Sequence, residues 1–264
     1  MSENQAVAQH FDDEERAFVA QVLDWLTQAS QDYQLVLTHF LNPRERHIVS
    51  IIVGDRTDIQ VHSYGIFDRA EKKRLVIAPE FFEVGRQDFE ELLLQIRFAK
   101  KFINLRHKDL LGALLAAGVN RSVIGDIVVD QDLGLAQLAV EKSHQIFLTQ
   151  TVDQIGKAKV HFEQVADSKA LVPAVDEEER FVLIPSLRLD AVIAACFGIS
   201  RTQVSEMISR GFISVNWVKN DDASRLMHRQ DVVSVRKYGR IRLQSLAGQS
   251  KRDKIKAVFQ IIRR

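Results

Sequence analysis

Residues 186–243 read SLRLDAVIAACFGISRTQVSEMISRGFISVNWVKNDDASRLMHRQDVVSVRKYGRIRL, and the fold of the C-terminal third follows from this stretch. Leu189, Val192, Ile193 and Cys196 recur at the three- and four-residue spacing of one helix face, and Gly198 supplies the stop. Ser200 then offers an N-cap, Gln203 completes a capping-box pattern, and Ile199 and Val204 stand where a hydrophobic staple closes. The second helix turns Val204, Met207 and Ile208 inward and ends at Gly211; Arg201, Ser205 and Ser209 remain outside, with Arg210 at the exit. A strand is expected at 213–216. Val233/Val235 and Ile241/Leu243 alternate as a hairpin around Tyr238-Gly239, crowded by Arg236, Lys237, Arg240 and Arg242. Ile255, Ala257, Phe259 and Ile261 alternate with Lys254, Lys256, Val258 and Gln260, which predicts one more strand.

The chemistry this arrangement suits is anion binding. Unpaired N–H groups and the positive dipole end attract phosphate at a helix start, where Arg201 and Thr202 stand. A guanidinium adds bidentate phosphate contacts that lysine does not match. Charge is distributed accordingly. The 264 residues carry a net +1, but residues 1–179 hold 19 Lys+Arg against 29 Asp+Glu and residues 180–264 hold 17 against 6. A basic C-terminal third beside an acidic remainder is the footprint of a domain that meets phosphates.

Upstream, the polar stretch 167–180 (DSKALVPAVDEEER) reads as a linker. Before it, a helix or linker (QDFEELLL) leads to a strand at 95–101. A helix at 108–117 carries Leu110, Leu111, Leu114 and Leu115, with Gly118 as its stop. Strands at 127–130 and 135–140, a helix at 143–155 and a strand at 159–165 complete the segment. That β-α-β-β-α-β order is the ferredoxin-like unit shared by RRM domains. The strands at 95–101 and 127–130, taken as the central pair, supply only Phe98, so the aromatic stacking platform of an RNA-reading sheet is not expected. The middle domain is expected instead to pack, to space, or to touch backbone phosphates.

The first domain opens with an amphipathic helix at 12–29. Val19, Val22, Leu23 and Leu26 form its inner stripe, and Asp12, Asp13, Glu14 and Glu15 its first turn. Leu35-Val36-Leu37 is a short apolar run. Asn42-Pro43-Arg44-Glu45 then starts a second helix, with Asn42 as cap, Pro43 at the first helical position and Glu45 reaching back. Ile48, Ile51 and Ile52 are its expected buried stripe; Ile59/Val61 and Leu75/Ile77 alternate as strands. The fold class is therefore α+β. It comprises a small mixed α/β domain at 1–84, an RRM-like domain at 85–166, a linker at 167–180 and a C-terminal domain at 181–264.

RLD at 188–190, ISRTQVSEMISRG at 199–211, ISVN at 213–216, DVVSV at 231–235 and YGR at 238–240 resemble the S-four RNA-binding domain, named for small-subunit ribosomal protein number four. The resemblance implies an αL-type module whose two helices and following β-turn contact structured RNA. It carries that role onto Arg188, Ser200, Arg201, Thr202, Gln203 and Arg210, and onto Lys219, Arg236, Lys237, Arg240 and Arg242 of the basic strands. Trp217 stands where that family often has Gly. Further upstream, FLNPRERHIV, AEKKR, IAPE, HKDLLGALLAAGVNRSVIGDIVV and IGKAKV resemble the YlmH family, whose S-four domain follows an α/β and an RRM-like domain. Ser63-Tyr64-Gly65 replaces the Gly-Gly-Tyr often seen there. The likeness implies binding to ribosomal RNA and tRNA on the large ribosomal subunit, a part in rescue of stalled nascent chains, and a link to cell division.

Rival readings have little support. Enzymes that use an S-four domain as a guide include pseudouridine synthases, which need a catalytic aspartate in a second signature domain, and a methyltransferase would need a Gly-rich cofactor loop; neither is visible. A protein-interaction scaffold in cell division, docking through the acidic N-terminal domains, is the third reading. His107-Lys108-Asp109 reads as a polar helix start rather than acid–base machinery, and Asp190 as a structural partner of a neighbouring arginine, though not of Arg188, two positions away. Gly125-Asp126 reads as a structural turn. The eight histidines and one cysteine show no metal-ligand spacing, so no catalytic residue, metal or cofactor is expected. The lone Cys196, the polar N-terminus and the lack of a long apolar run predict a cytoplasmic protein without membrane contact.

Overall fold

Asn42 shows how directly some of these patterns fold. In the computed structural model, which describes residues 15–156, 158–173, 176–229, 231–250 and 253–263, its side chain accepts from the Arg44 and Glu45 N–H groups, at 2.8 and 3.0 Å. Glu45 reaches back to the Asn42 N–H at 2.6 Å. The reciprocal cap opens α2 (Pro43–Val53) with Pro at its start. Before it lie α1 (Arg16–Ser30) and the short β1 (Val36–Leu37). The expected start at 12–14 lies outside the described residues. β2 (Ile59–Tyr64) and β3 (Arg74–Pro79) complete an antiparallel sheet in the order β1-β3-β2. Ile51 departs from the expected stripe: it is exposed, and Val49 is buried beside Ile48 in its place.

The chain divides into two compact units, Met1–Pro173 and Ala174–Arg264. In the first, β4 (Glu91–Arg97), α3 (His107–Ala116), β5 (Ile124–Asp130), β6 (Leu135–Glu141), α4 (Gln145–Thr151) and β9 (Glu163–Val165) follow one another; a small hairpin of β7 (Gln154–Ile155) and β8 (Ala158–Lys159) precedes β9. The sheet order is β5-β6-β4-β9, antiparallel throughout, as in the ferredoxin-like arrangement, so β6 and β4 are central and the 127–130 segment, expected to be central, lies at the edge. Several boundaries differ from expectation. The first strand begins at Glu91 rather than 95, because Leu92, Leu93 and Leu94 are covered on both faces and read as a continuous apolar run. The second helix is cut to seven residues after a 3₁₀ turn (Lys142–His144), and the last strand is broken in two.

One face of this sheet packs Leu94, Ile96, Ala136, Leu138 and Val140 against Leu110 and Leu114 of α3 and Leu148 of α4. The opposite face is also closed. Phe40, Ile66, Phe67 and Ala70 pack on Leu93, Ala139 and Val165. Gly125 is required there: a Cβ would sit 2.7 Å from Phe40 Cε1 and 2.9 Å from Ala139 Cβ. The buried Gln137 donates to Gln95 Oε1 and to the Lys169 carbonyl, each at 2.9 Å, and accepts from the Leu171 N–H at 2.7 Å. Arg74, also buried, donates to the Thr38 and Phe89 carbonyls at 2.7 and 2.8 Å. Asp126, at a bulge in β5, accepts from the Glu71 N–H at 2.5 Å, so Gly125-Asp126 is structural but lies within a strand and not at the expected turn.

The second unit contains β10 (Asp176–Ile184), α5 (Leu189–Phe197), α6 (Arg201–Ser209), β11 (Ile213–Val215), β12 (Val218–Lys219), β13 (Val232–Val235), β14 (Gly239–Gln249) and β15 (Ile255–Arg263). They form one antiparallel sheet ordered β10-β15-β14-β13-β11-β12. Part of the stretch read as a linker is thus an edge strand, paired with β15 from Asp176 to Ile184. Its acidic side chains concealed the strand and suit an exposed edge. The helices bury Val192, Ile193, Val204 and Ile208 against Val233, Ile241, Phe259 and Ile261. Cys196 lies fully inside, and burial pushes its thiol up to about 12, so it behaves as a small apolar side chain.

Candidate nucleic-acid interface

Arg188 is not on the first helix but caps it, with backbone at φ −59°, ψ 139°. The rule separating residues two apart on a helix therefore does not apply, and Arg188 does meet Asp190. Its Nε and Nη2 donate to the two carboxylate oxygens, at 3.2 Å each. Arg201, first residue of α6, donates to Asp190 Oδ2 at 2.5 Å. The Ala191 N–H completes the set at 2.8 Å. A buried carboxylate thus braces the arginines at two successive helix starts, as the reading of Asp190 anticipated for one. Burial pushes the Asp190 carboxyl up, but the hydrogen bonds from Arg188 and Arg201 outweigh it and hold the pKa below its ordinary value. The arginine side chains remain 39% and 53% exposed, so the brace fixes each while leaving it open to solvent.

The carbonyls of Arg225 and Ala223 accept from the Leu189 and Asp190 N–H groups, so the segment after β12 covers the start of α5. Nothing in the spacing of that segment marked this role. At α6, the Ser200 hydroxyl accepts from the Gln203 N–H at 3.1 Å, as expected of a cap. Gln203 departs from the expected capping box: its side-chain amide donates to Tyr238 Oη at 3.2 Å. Tyr238 lies 5.4 Å from the Phe197 ring. These contacts join the start of α6 and the end of α5 to the β13–β14 turn, where Arg236 and Lys237 are exposed. Arg236 stacks on Phe212 at 4.8 Å. An open cleft of ≈ 240 Å³ is lined by Arg236, Lys237 and Arg240 together with Ser234 and Ile262.

The eleven candidate residues do not form one face. Arg188 and Arg201 meet at Asp190; Ser200, Thr202 and Gln203 share the start of α6, and Gln203 reaches Tyr238, which follows the Arg236-Lys237 pair in the chain. Arg210 is exposed at the far end of α6. Arg240 and Arg242 alternate with the buried Ile241 and Leu243, so they lie on the sheet face away from the helices. Arg240 stands over Trp217 at 5.9 Å, and Lys219 is exposed on the edge strand β12. His107-Lys108-Asp109 is a helix start: Asp109 accepts from the Arg106 backbone and guanidinium, at 3.1 and 2.9 Å. Among the described residues no group of three acidic, His or Cys side chains is placed to hold a metal, and no helix is long and apolar enough to cross a membrane.

Two family descriptions match the first unit: "YlmH, N-terminal" over residues 14–81 and "Putative RNA-binding domain in YlmH" over residues 85–169. The "Ribosome-associated protein quality control protein P2" of Bacillus subtilis is 37% identical over 254 residues, 96% of this chain and 98% of its own. A solved structure described as "Cell division protein ylmH from Streptococcus pneumoniae" superposes with a TM-score of 0.53 at 24% identity, covering 61% of this chain and 97% of that one; at that identity the likeness is one of fold. On the near full-length match and the two domain matches, the chain belongs to the YlmH family.

Proposed function

We propose that this protein is a non-enzymatic RNA-binding factor of the ribosome, acting on ribosomal RNA and tRNA at the large subunit in the rescue of stalled translation. The observation that carries the RNA grip is the Arg188–Asp190–Arg201 brace beside the Arg236-Lys237 turn. It presents held, solvent-open guanidinium groups at a helix start, which is the chemistry phosphates select. The relative from Bacillus subtilis, by its name a ribosome-associated quality-control protein, supports the ribosomal setting. The name of the pneumococcal structure supports a link to cell division. A ribosomal role places the protein in the cytoplasm. The reading keeps three domains, at 1–84, 85–166 and, with the edge strand β10 included, 176–264, with the last as the main RNA contact through Arg188, Ser200, Arg201, Thr202, Gln203, Arg210, Lys219, Arg236, Lys237, Arg240 and Arg242.

Replacing Arg201 and Arg210 together with alanine is expected to weaken binding to large-subunit ribosomal RNA by about ten-fold or more, and to lower the salt slope by about two. Filter binding across a salt series reads both. Parent-like affinity and slope would remove the site assignment. Co-sedimentation with separated subunits, with and without tRNA, tests the large-subunit setting: a protein found only with small subunits has another target.

A further inference from the structure

The sheet face on which RRM domains stack bases is closed here by Phe40, Ile66, Phe67 and Ala70. The domain nevertheless matches a family description that names RNA. RNA contact by this domain then requires another surface, and one stretch has the composition for it. Residues 97–108, RFAKKFINLRHK, contain five of the 19 lysines and arginines found in residues 1–179 and no acid, although that part of the chain holds 29 acids. We infer that this loop between β4 and α3 is a second RNA-contacting surface, with Phe102 stacking on an unpaired base and Arg97, Lys100, Lys101 and Lys108 meeting phosphates. The inference rests on the reading of the protein as an RNA-binding factor.

The loop is built rather than loose. The Phe102 and Ile103 N–H groups donate to the Ala99 carbonyl at 2.9 and 3.0 Å, which forms a turn with Phe102 at its outside. The Phe98 N–H donates to the Gly134 carbonyl at 2.9 Å, and Gln131 Nε2 to the Ile103 carbonyl at 2.8 Å. Gly134 has φ +67°, and a Cβ there would lie 2.7 Å from the Phe98 carbonyl oxygen, so the β5–β6 turn fits tightly against the loop. Ile103 packs on the helix-side core and Leu105 is buried. Between these anchors Phe102 is 87% exposed.

A pinned loop that holds an aromatic ring in water has already lost the freedom that stacking would cost. Base–aromatic stacking contributes about 1–3 kcal/mol per base by alanine substitution. Arg106 is engaged by Asp109, and the Lys100 ammonium touches the Asp132 carbonyl. Asp130 accepts from the Leu133 N–H within its own turn. Arg97 at the end of β4, Lys101 next to Phe102 in the chain and Lys108 in the first turn of α3 are exposed.

The test uses the full chain and ribosomal RNA from dissociated large subunits. Phe102→Ala is expected to lower affinity about ten-fold with the salt slope unchanged, and Phe102→Trp to restore it. Lys100→Ala with Lys101→Ala is expected to lower the slope by about two. The urea unfolding curve of Phe102→Ala should match the parent, since its ring is exposed; this separates lost contact from lost fold. Parent-like binding of both variants across the salt series overturns the inference and leaves the loop's charge to an acidic protein surface. If the loop variants bind normally while the Arg201/Arg210 variant fails, only this inference falls. If the loop variants fail while the Arg201/Arg210 variant binds normally, the C-terminal site assignment falls instead.

Discussion

The two larger sheets of this protein treat their faces in opposite ways. The four-stranded sheet is covered on both sides, by α3 and α4 on one and by Phe40, Ile66, Phe67 and Ala70 on the other. The six-stranded sheet packs its helices on one side and carries Arg240 and Arg242 on the other. A fold associated with RNA has thus been turned into a packed interior, whereas the C-terminal sheet keeps its cations in water. Topology alone therefore says little about where nucleic acid binds; the covering of each face decides it. This contrast can be attacked from both sides, and the two tryptophans serve as reporters, Trp25 in the first unit and Trp217 in the second.

The largest effect is expected from Phe40→Ala. Phe40 is 3% exposed and fits against Gly125 so closely that no Cβ is tolerated there. Emptying that position should cost about 3–5 kcal/mol in the first unit. Urea unfolding followed by Trp25 emission should shift accordingly, and the transition reported by Trp217 should stay in place. A gain in RNA affinity in this variant would mean that the closed face retains a latent stacking surface, and the contrast between the sheets would blur.

Next comes a charge inside the closed face. Glu91 is 2% exposed; its Oε1 accepts from the Ile66 N–H at 3.1 Å, while among the described residues Oε2 has no hydrogen-bond partner. Burial raises its carboxyl pKa to about 7 from an ordinary 4.5. The folded state thus holds a proton that the unfolded chain releases between about pH 4.5 and 7. Stability falls as pH rises across that window and levels off above it, by roughly 3 kcal/mol in all. Glu91→Gln should remove this fall while keeping the Ile66 hydrogen bond, and should leave the first unit more stable than the parent at pH 8. A parent whose Trp25 transition does not move between pH 5 and 8 would show the carboxylate to be solvated.

Much of this was legible where a pattern is local. Asn42 through Glu45 announced a cap and made one. Val204, Met207 and Ile208 announced an inner stripe and buried it. The β-α-β-β-α-β order emerged even with misplaced boundaries, because order needs only one correct feature per element. What failed was set by partners distant in sequence. The 91–97 strand looked unlike one because both its faces are covered, and Val49, not Ile51, joins the core because α2 turns that side toward the elements packed on it. At the site, the arginines could be named from the helix starts. Their brace could not, because it depends on Arg188 lying outside the helix. The sharing of Gln203 with Tyr238 spans 35 positions and left no local trace.

The smallest effect concerns the turn between β11 and β12. Asn216 and Trp217 both have positive φ, +52° and +68°, as a two-residue hairpin turn of the primed type demands. Asn216 is suited to this and is tied down, donating to Asp231 Oδ1 at 2.8 Å and accepting from the Val232 N–H at 2.9 Å. Trp217 is not, since any Cβ in the left-handed region costs about 1 kcal/mol or more. Its ring is partly compensated by Arg240, worth about 0.5–1 kcal/mol in a cation–π contact. Removing the ring while keeping the Cβ retains the strain and discards the compensation; removing both discards the strain as well. Trp217→Gly should therefore be more stable than Trp217→Ala by about 1 kcal/mol, the reverse of the order these residues show in ordinary strands. Thermal unfolding of the second unit, followed by circular dichroism because the reporter itself is gone, measures the difference. The reverse order would mean that the turn adopts another form and that the Arg240 face is less firmly held than the arginines braced by Asp190.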